Sequence, residues 1–182
     1  MKQNAFYEIF LEQLKNIYDA ENQVLNALPK IIQSVENGEL KESLVQYLDE
    51  TKTQILRLKT IFKTLNEEPA EGISRGMRGI IEECDQVLSY QRPSCAKDSY
   101  LIVCCQKIEH YQIAAYGCAR TIANHLNHAQ IDERIDFDEI ASILQLSLDE
   151  EGSANETLTD IAEGGFFTEG INDIAEKEAS LK

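Results

Sequence analysis

At 182 residues the chain suffices for one domain with a sizeable hydrophobic core and is too short for two ordinary ones. Its 17 basic against 32 acidic residues give a net charge of -15, which repels phosphate backbones and anionic membrane surfaces; with no basic patch to reverse the field, nucleic acid and membranes are excluded as partners. No apolar run approaches the roughly 20 residues that span a bilayer, and the opening MKQNAFYEIFLEQLK is charged every few residues where a signal peptide would be apolar, so a cytoplasmic protein is expected.

In chain order, the first helix is expected from about Asn4 to about Glu36, because Phe10, Leu14, Ile17, Glu21, Leu25 and Leu28 recur at the spacing of one helix face. Pro29 predicts a kink inside it, since the apolar pattern resumes at Ile31 and Ile32, and Asn37-Gly38 is expected to end it. The second helix carries Leu44, Leu48, Thr51, Ile55, Leu58 and Phe62 on one stripe, and the short connection makes it an antiparallel neighbour of the first. NEEPAEGIS, residues 66–74, leads to a shorter helix over MRGIIEECDQVLSY, and QRPSCAKD breaks the chain again.

The third long helix is expected from about Ala96 to about Asn127, with Leu101, Cys105, Ile108, Gln112, Ala115 and Ala119 inward. Asp136 followed by Glu139 makes an acidic capping box for the fourth, which carries Ile140, Leu144, Leu148, Glu151, Asn155 and Leu158. EGGFFTEG reads as a loop presenting Phe166 and Phe167, INDIAEKEASLK as a terminal helix, and no strand-like alternation appears. The fold class is all-α: a ferritin-like four-helix bundle over residues 1–163, with a long crossover containing a short helix between its second and third long helices. Residues 164–182 form a loop and a short helix that pack on the bundle. Tyr7, Phe10 and Leu11, near one end of the first helix, predict a homodimer that covers them.

The five cysteines are odd in number and include no C-x-x-C pair, which indicates neither a disulfide framework nor a thiolate zinc site. Cys104, Cys105 and Cys118 are read as small core hydrophobes.

The carboxylates carry the chemistry. Glu21 and Glu109 fall in or beside the inward stripes of the first and third helices, and Leu48-Asp49-Glu50 recurs as Leu148-Asp149-Glu150, as in two related hairpins. One inward glutamate per helix brings Glu21, Glu50, Glu109 and Glu150 towards one point, with Gln112 and Glu151 as further candidates. Which of Glu150 and Glu151 faces the centre stays open. Four carboxylates in a low-dielectric site require protons or a pair of divalent cations, which is the case for a dinuclear metal site. The competing reading places each glutamate at the edge of its stripe with its head in solvent. His110 lies about 100° round the helix from Glu109 and is read as a boundary residue; Tyr18, Tyr111 and Tyr116 are candidate donors to the carboxylates, and His125 and His128 are structural.

LKNIYDAENQVLNALPKII, YLDETKTQILRLKTIF, QKIEHYQIAAYG and LSLDEEGSANETLTDIA, in that order, resemble the YciE/YciF family of bacterial ferritin-like proteins over about residues 6–162. The resemblance implies a ferritin-like fold, a homodimer, a binuclear iron or manganese site and a link to bacterial stress response. The chain departs from the pattern at telling places. A full di-iron site pairs glutamates with Glu-x-x-His, but the third position after Glu50 is Thr53 and after Glu150 is Ser153. Gln112 and Asn155 stand where the family commonly has acids. Two functions are therefore weighed: a metalloprotein holding di-iron or di-manganese, partly occupied, and a non-enzymatic dimeric bundle or adaptor that has lost its metal.

Overall fold

Helix α1 begins at a side-chain cap: the Asn4 carbonyl oxygen accepts the amides of Phe6 and Tyr7, two of the donors that a helix start leaves unpaired. In the computed structural model residues 4–69, 73–89, 94–165 and 168–180 are described, and Phe166 and Phe167 lie outside them. The elements are α1 (Ala5–Ser34), α2 (Gly38–Thr64), α3 (Arg75–Ser89), α4 (Ser94–His128), α5 (Phe137–Glu163), β1 (Gly164–Gly165), β2 (Thr168–Glu169) and α6 (Ile171–Ser180). The all-α expectation holds. Where a plain loop is expected, a two-residue antiparallel pairing joins Gly164 with Glu169 and Gly165 with Thr168. Gly164 turns the chain there with φ +75, and a Cβ would meet backbone atoms at 2.4 Å, so the turn demands glycine.

α1 runs uninterrupted through Pro29, whose ring faces solvent. Asn37-Gly38 does not end α1 but starts α2: Asn37 is the cap, accepting the Leu40 amide, and Gly38 is the first helical residue. The corner between the two helices is held from a distance instead. Asp98 of α4, buried, accepts the amides of Glu36 and Asn37 at 3.2 and 2.7 Å. At α5 the expected acidic cap is present, with Asp136 accepting the Glu139 amide at 2.9 Å.

The four long helices close a ring in which α1 neighbours α2 and α4, and α5 neighbours α2 and α4. Their buried residues fall into two apolar clusters. One gathers the end of α1, the starts of α2 and α4, the end of α5, and α3 and α6. The other gathers the start of α1, the ends of α2 and α4 and the start of α5. α2 and α4 therefore run in the same direction, and the chain must travel back along the bundle between them; α3 makes that return. Gly76 lets it approach α4 closely, since a Cβ would stand 2.8 Å from the Tyr111 ring. Asp19 of α1 accepts the Ser74 amide at 2.7 Å, and Ser74 shares a 2.8 Å hydrogen bond with Tyr111, which fixes the crossover to both α1 and α4.

Tyr7 and Phe10 are covered within the chain, where both pack edge-on against Phe137. The expectation of a homodimer loses this ground. Cys104 and Cys105 are buried as expected, whereas Cys118 is exposed, because it falls off the inward face of α4. Among the described residues no helix is long and apolar enough to cross a membrane.

Asp98 ties three helices through two charge-assisted bonds, and its loss leaves the corner amides unpaired. Asp98→Ala is expected to lower stability by about 2 kcal/mol, read as a fall of roughly 4–8 °C in a thermal melt of a chain this long.

Candidate functional site

Between the two apolar clusters the core is polar. At this level α1 contributes Glu21, α2 Thr51 and Gln54, α4 Glu109 and Gln112, and α5 Ser147 and Glu151, every one between 0 and 1% exposed. The buried hydroxyls of Tyr47 and Tyr116 flank them. A helix face recurs every three to four residues, so a stripe that is leucine above and below carries its polar residues to one depth on all four helices.

A chain of hydrogen bonds orders half of this layer. The Tyr47 hydroxyl donates to Gln112 Oε1 at 2.5 Å, Gln112 Nε2 donates to Glu21 Oε1 at 2.8 Å, and the Tyr116 hydroxyl donates to the same oxygen at 2.8 Å. Thr51 turns its hydroxyl back onto the Tyr47 carbonyl. The other half has acceptors without donors. Glu21 Oε2, both oxygens of Glu109, both of Glu151, Gln54 Oε1 and Asn155 Oδ1 are buried with no hydrogen-bond partner.

Burial without donors favours the protonated acids. It lifts the Glu21 carboxyl to about 7 even though Tyr116 and Gln112 pull the other way, and lifts Glu109 to about 8, helped by the charge of Glu50. Glu151 is pushed well above the ordinary carboxylate range by burial and by the charges of Glu21 and Glu109. The same burial and the same carboxylates push the Tyr47 and Tyr116 hydroxyls up, so both remain donors.

Glu50 and Glu150 do not face the centre. Each is half-buried, and the reason is helical phase: the inward stripes run through Thr51 and Glu151, which puts the preceding residue about 100° away. Glu50 accepts from Gln46 at 2.8 Å. Glu150 is gripped by Arg57 in a two-pronged ion pair of 2.5 and 2.7 Å, and also accepts from Gln54 Nε2 at 3.2 Å. Of the sequence candidates, Glu21, Glu109, Gln112 and Glu151 are thus brought into one layer, and Glu50 and Glu150 onto its rim. Gln112 is central, but its carbonyl oxygen is already taken by Tyr47.

Among the aromatic candidates only Tyr116 reaches a carboxylate. Tyr111 serves the crossover, Tyr18 packs edge-on against Phe62, and His110 is exposed with its ring nitrogen on the Gln106 carbonyl. Gln54, Tyr47 and Arg57 were missed. The signal for the first two was present, since Tyr47, Thr51, Gln54 and Leu58 lie at steps of four, three and four and interrupt an apolar stripe with three polar residues. Among the described residues no group of three or more His, Cys, Asp or Glu side chains stands ready to share one ion.

Residues 5–172 match the family described as a domain of unknown function, DUF892. Protein YciF of Escherichia coli strain K12 is 29% identical over 163 residues, 89% of this chain and 93% of that protein. The crystal structure of the E. coli stress protein YciF superposes with a TM-score of 0.78 at 28% identity, covering 100% of both chains. YcfI from Rhodopseudomonas palustris superposes with a TM-score of 0.80 at 32% identity, covering 89% of this chain and 99% of that one.

The raised carboxyls make stability depend on pH. Unfolded, Glu21 and Glu109 lose their protons near 4.5; folded, they keep them to about 7 and about 8. Between those values the folded state binds more protons, so the contribution of these groups is full below 4.5 and is lost as the pH rises through 7 and 8. In chelator, Tm is expected to be at least about 5 °C lower near pH 8.5 than near pH 5.5, with Glu109→Gln removing part of the decline. Equal slopes for the two proteins in a circular dichroism melt would contradict the buried, donor-poor layer.

Proposed function

The chain belongs to the DUF892 family, and on that premise we propose that it is a ferritin-like, stress-associated protein whose buried carboxylate layer holds a hard divalent cation. One observation carries the reading: five carboxylate oxygens from Glu21, Glu109 and Glu151 are buried without a hydrogen-bond partner. A site of this kind must take up positive charge, as protons or as a metal. The donor set fits a metal of a definite class. All seven unpaired oxygens are carboxylate or amide, with no imidazole or thiolate among them, which suits manganese, magnesium or calcium better than zinc or copper. Of iron and manganese, manganese is the better match.

Glu21 through Oε2, Glu109 and Glu151 would be the charged ligands, with Gln54 and, one turn on from Glu151, Asn155 offering amide oxygens. Since among the described residues no three acids stand ready to share an ion, holding one requires these side chains to turn towards a common point. When bound, a divalent ion supplies charge neutralisation and, in the case of manganese or iron, a second oxidation state. The chain's own residues prepare that event. Tyr116 and Gln112 fix Glu21 Oε1 and leave Oε2 free, Tyr47 fixes Gln112 in turn, and the carboxyls release protons as their charges are met.

A second reading is the non-enzymatic bundle whose layer is a protonated network. The full engagement of the Gln112 amide and the absence of Glu-x-x-His support it. The readings separate on Glu109→Gln. On the metal reading it weakens Mn2+ binding on the order of tenfold or more in titration calorimetry, and at the same time raises the Tm of the metal-free protein at alkaline pH, since it removes an uncompensated buried charge. Stabilisation with no Mn2+ binding in the parent protein would leave the protonated network.

A further inference from the structure

Arg57 stands at the edge of this layer, and its position raises a question the metal reading leaves open, namely how many carboxylates the layer can use. Its guanidinium holds both oxygens of Glu150, at 2.5 and 2.7 Å, and reaches the Ser147 hydroxyl at 3.4 Å. The pair is not a surface one, with side chains only 23% and 27% exposed. Glu50 and Tyr116 also act on the guanidinium. Glu150 stands close enough for its charge to act on Glu21, and Gln54, whose Nε2 holds Glu150, turns its unpaired Oε1 into the layer. Glu150 therefore stands beside the buried acids, and a fork-shaped cation holds it at the rim.

We propose that Arg57 withholds Glu150 from the buried layer and so sets how many divalent ions the layer takes. This rests on the reading of the layer as a cation site. The charge count gives the reason. With Glu150 neutralised by Arg57, the buried layer itself offers Glu21, Glu109 and Glu151, three negative charges, one of them eased by the two donors on Glu21 Oε1, while half-buried Glu50 acts on Glu109 and Glu151 from the rim, where Gln46 holds it. One divalent ion leaves a remainder of a single negative charge, while two would leave an uncompensated positive charge in a low-dielectric core. Released from Arg57, Glu150 supplies the fourth carboxylate, and two divalent ions are then matched. An arginine at this point does what a histidine ligand cannot, since it stays charged at any working pH and competes with the metal for the same oxygens.

The test measures Mn2+ bound per chain by equilibrium dialysis, for the parent protein, Arg57→Gln, and Arg57→Gln combined with Glu150→Gln. Arg57→Met, which keeps the aliphatic stem but not the charge, replaces Arg57→Gln if the latter's melt shows loss of fold. The expected result is a rise of about one ion per chain on removing the guanidinium, abolished when Glu150 is also changed. No rise, or a rise that survives Glu150→Gln, overturns the proposal while leaving the cation site standing if the parent still binds and Glu109→Gln still weakens it. No Mn2+ on the parent or on either Arg57 variant overturns both.

Discussion

Three carboxyl groups set between two apolar clusters, with too few donors to satisfy them, are the constraint around which the molecule is organised. Glu21, Glu109 and Glu151 come from different helices and are as fully buried as the leucines above and below them. An ionised carboxylate in such a place costs several kcal/mol unless a countercharge meets it. The chain offsets that cost with apolar packing on either side. Phe10, Phe62 and Phe137 fill one half, and the other is enlarged by α3 and α6, which add Met77, Val87 and Ile171 to what the four long helices could bury alone. The short helices are thus part of how a polar layer is tolerated.

Bringing these residues to one level requires the helices to be fixed along their axes, and the polar contacts outside the layer do this. Asp98 joins α4 to the corner of α1 and α2, while Asp19 and Tyr111 converge on Ser74 from α1 and α4. These bonds clamp α1 against α4, the two helices whose Glu21 and Gln112 must meet at 2.8 Å. Hydrophobic contacts alone are non-directional and would tolerate a slide between the helices that a hydrogen bond would not. The directional bonds outside the layer therefore preserve the directional bonds within it.

Much of this was legible in the sequence, for a reason that also explains what was not. Period-3.6 patterning reports depth within a helix, so the stripe containing Phe10, Ile17, Glu21 and Leu28 placed Glu21 inside, and the stripe containing Leu144, Glu151 and Leu158 did the same for Glu151. The repeated Leu-Asp-Glu points to Glu50 and Glu150 instead. Similarity between segments says nothing about phase, and the true equivalents at the centre are Thr51 and Glu151. Asn37-Gly38 suits a helix stop because both residues favour helix ends, but an asparagine caps a start equally well, and the three-residue gap between the helices leaves its role to the tertiary corner. Contacts between helices, such as Arg57 with Glu150, leave no trace in a single sequence, since 93 residues separate the partners.

The same geometry bears on why a basic residue should survive at the rim of an acidic site in a chain of net charge -15. The long-range field already favours cations, so Arg57 is not needed to make the site selective against anions. Nor does it serve mainly to stabilise, because an ion pair this poorly solvated returns little beyond its own desolvation cost. What it does supply is a fixed positive charge that cannot leave with the solvent. At that point of the rim the charge of Glu150 is met, while Glu21, Glu109 and Glu151 in the buried layer have no such ion-pair partner. The division of labour between Glu150, permanently met, and Glu151, one residue on and unmet, is what turns a row of glutamates into a site with an inside and an outside.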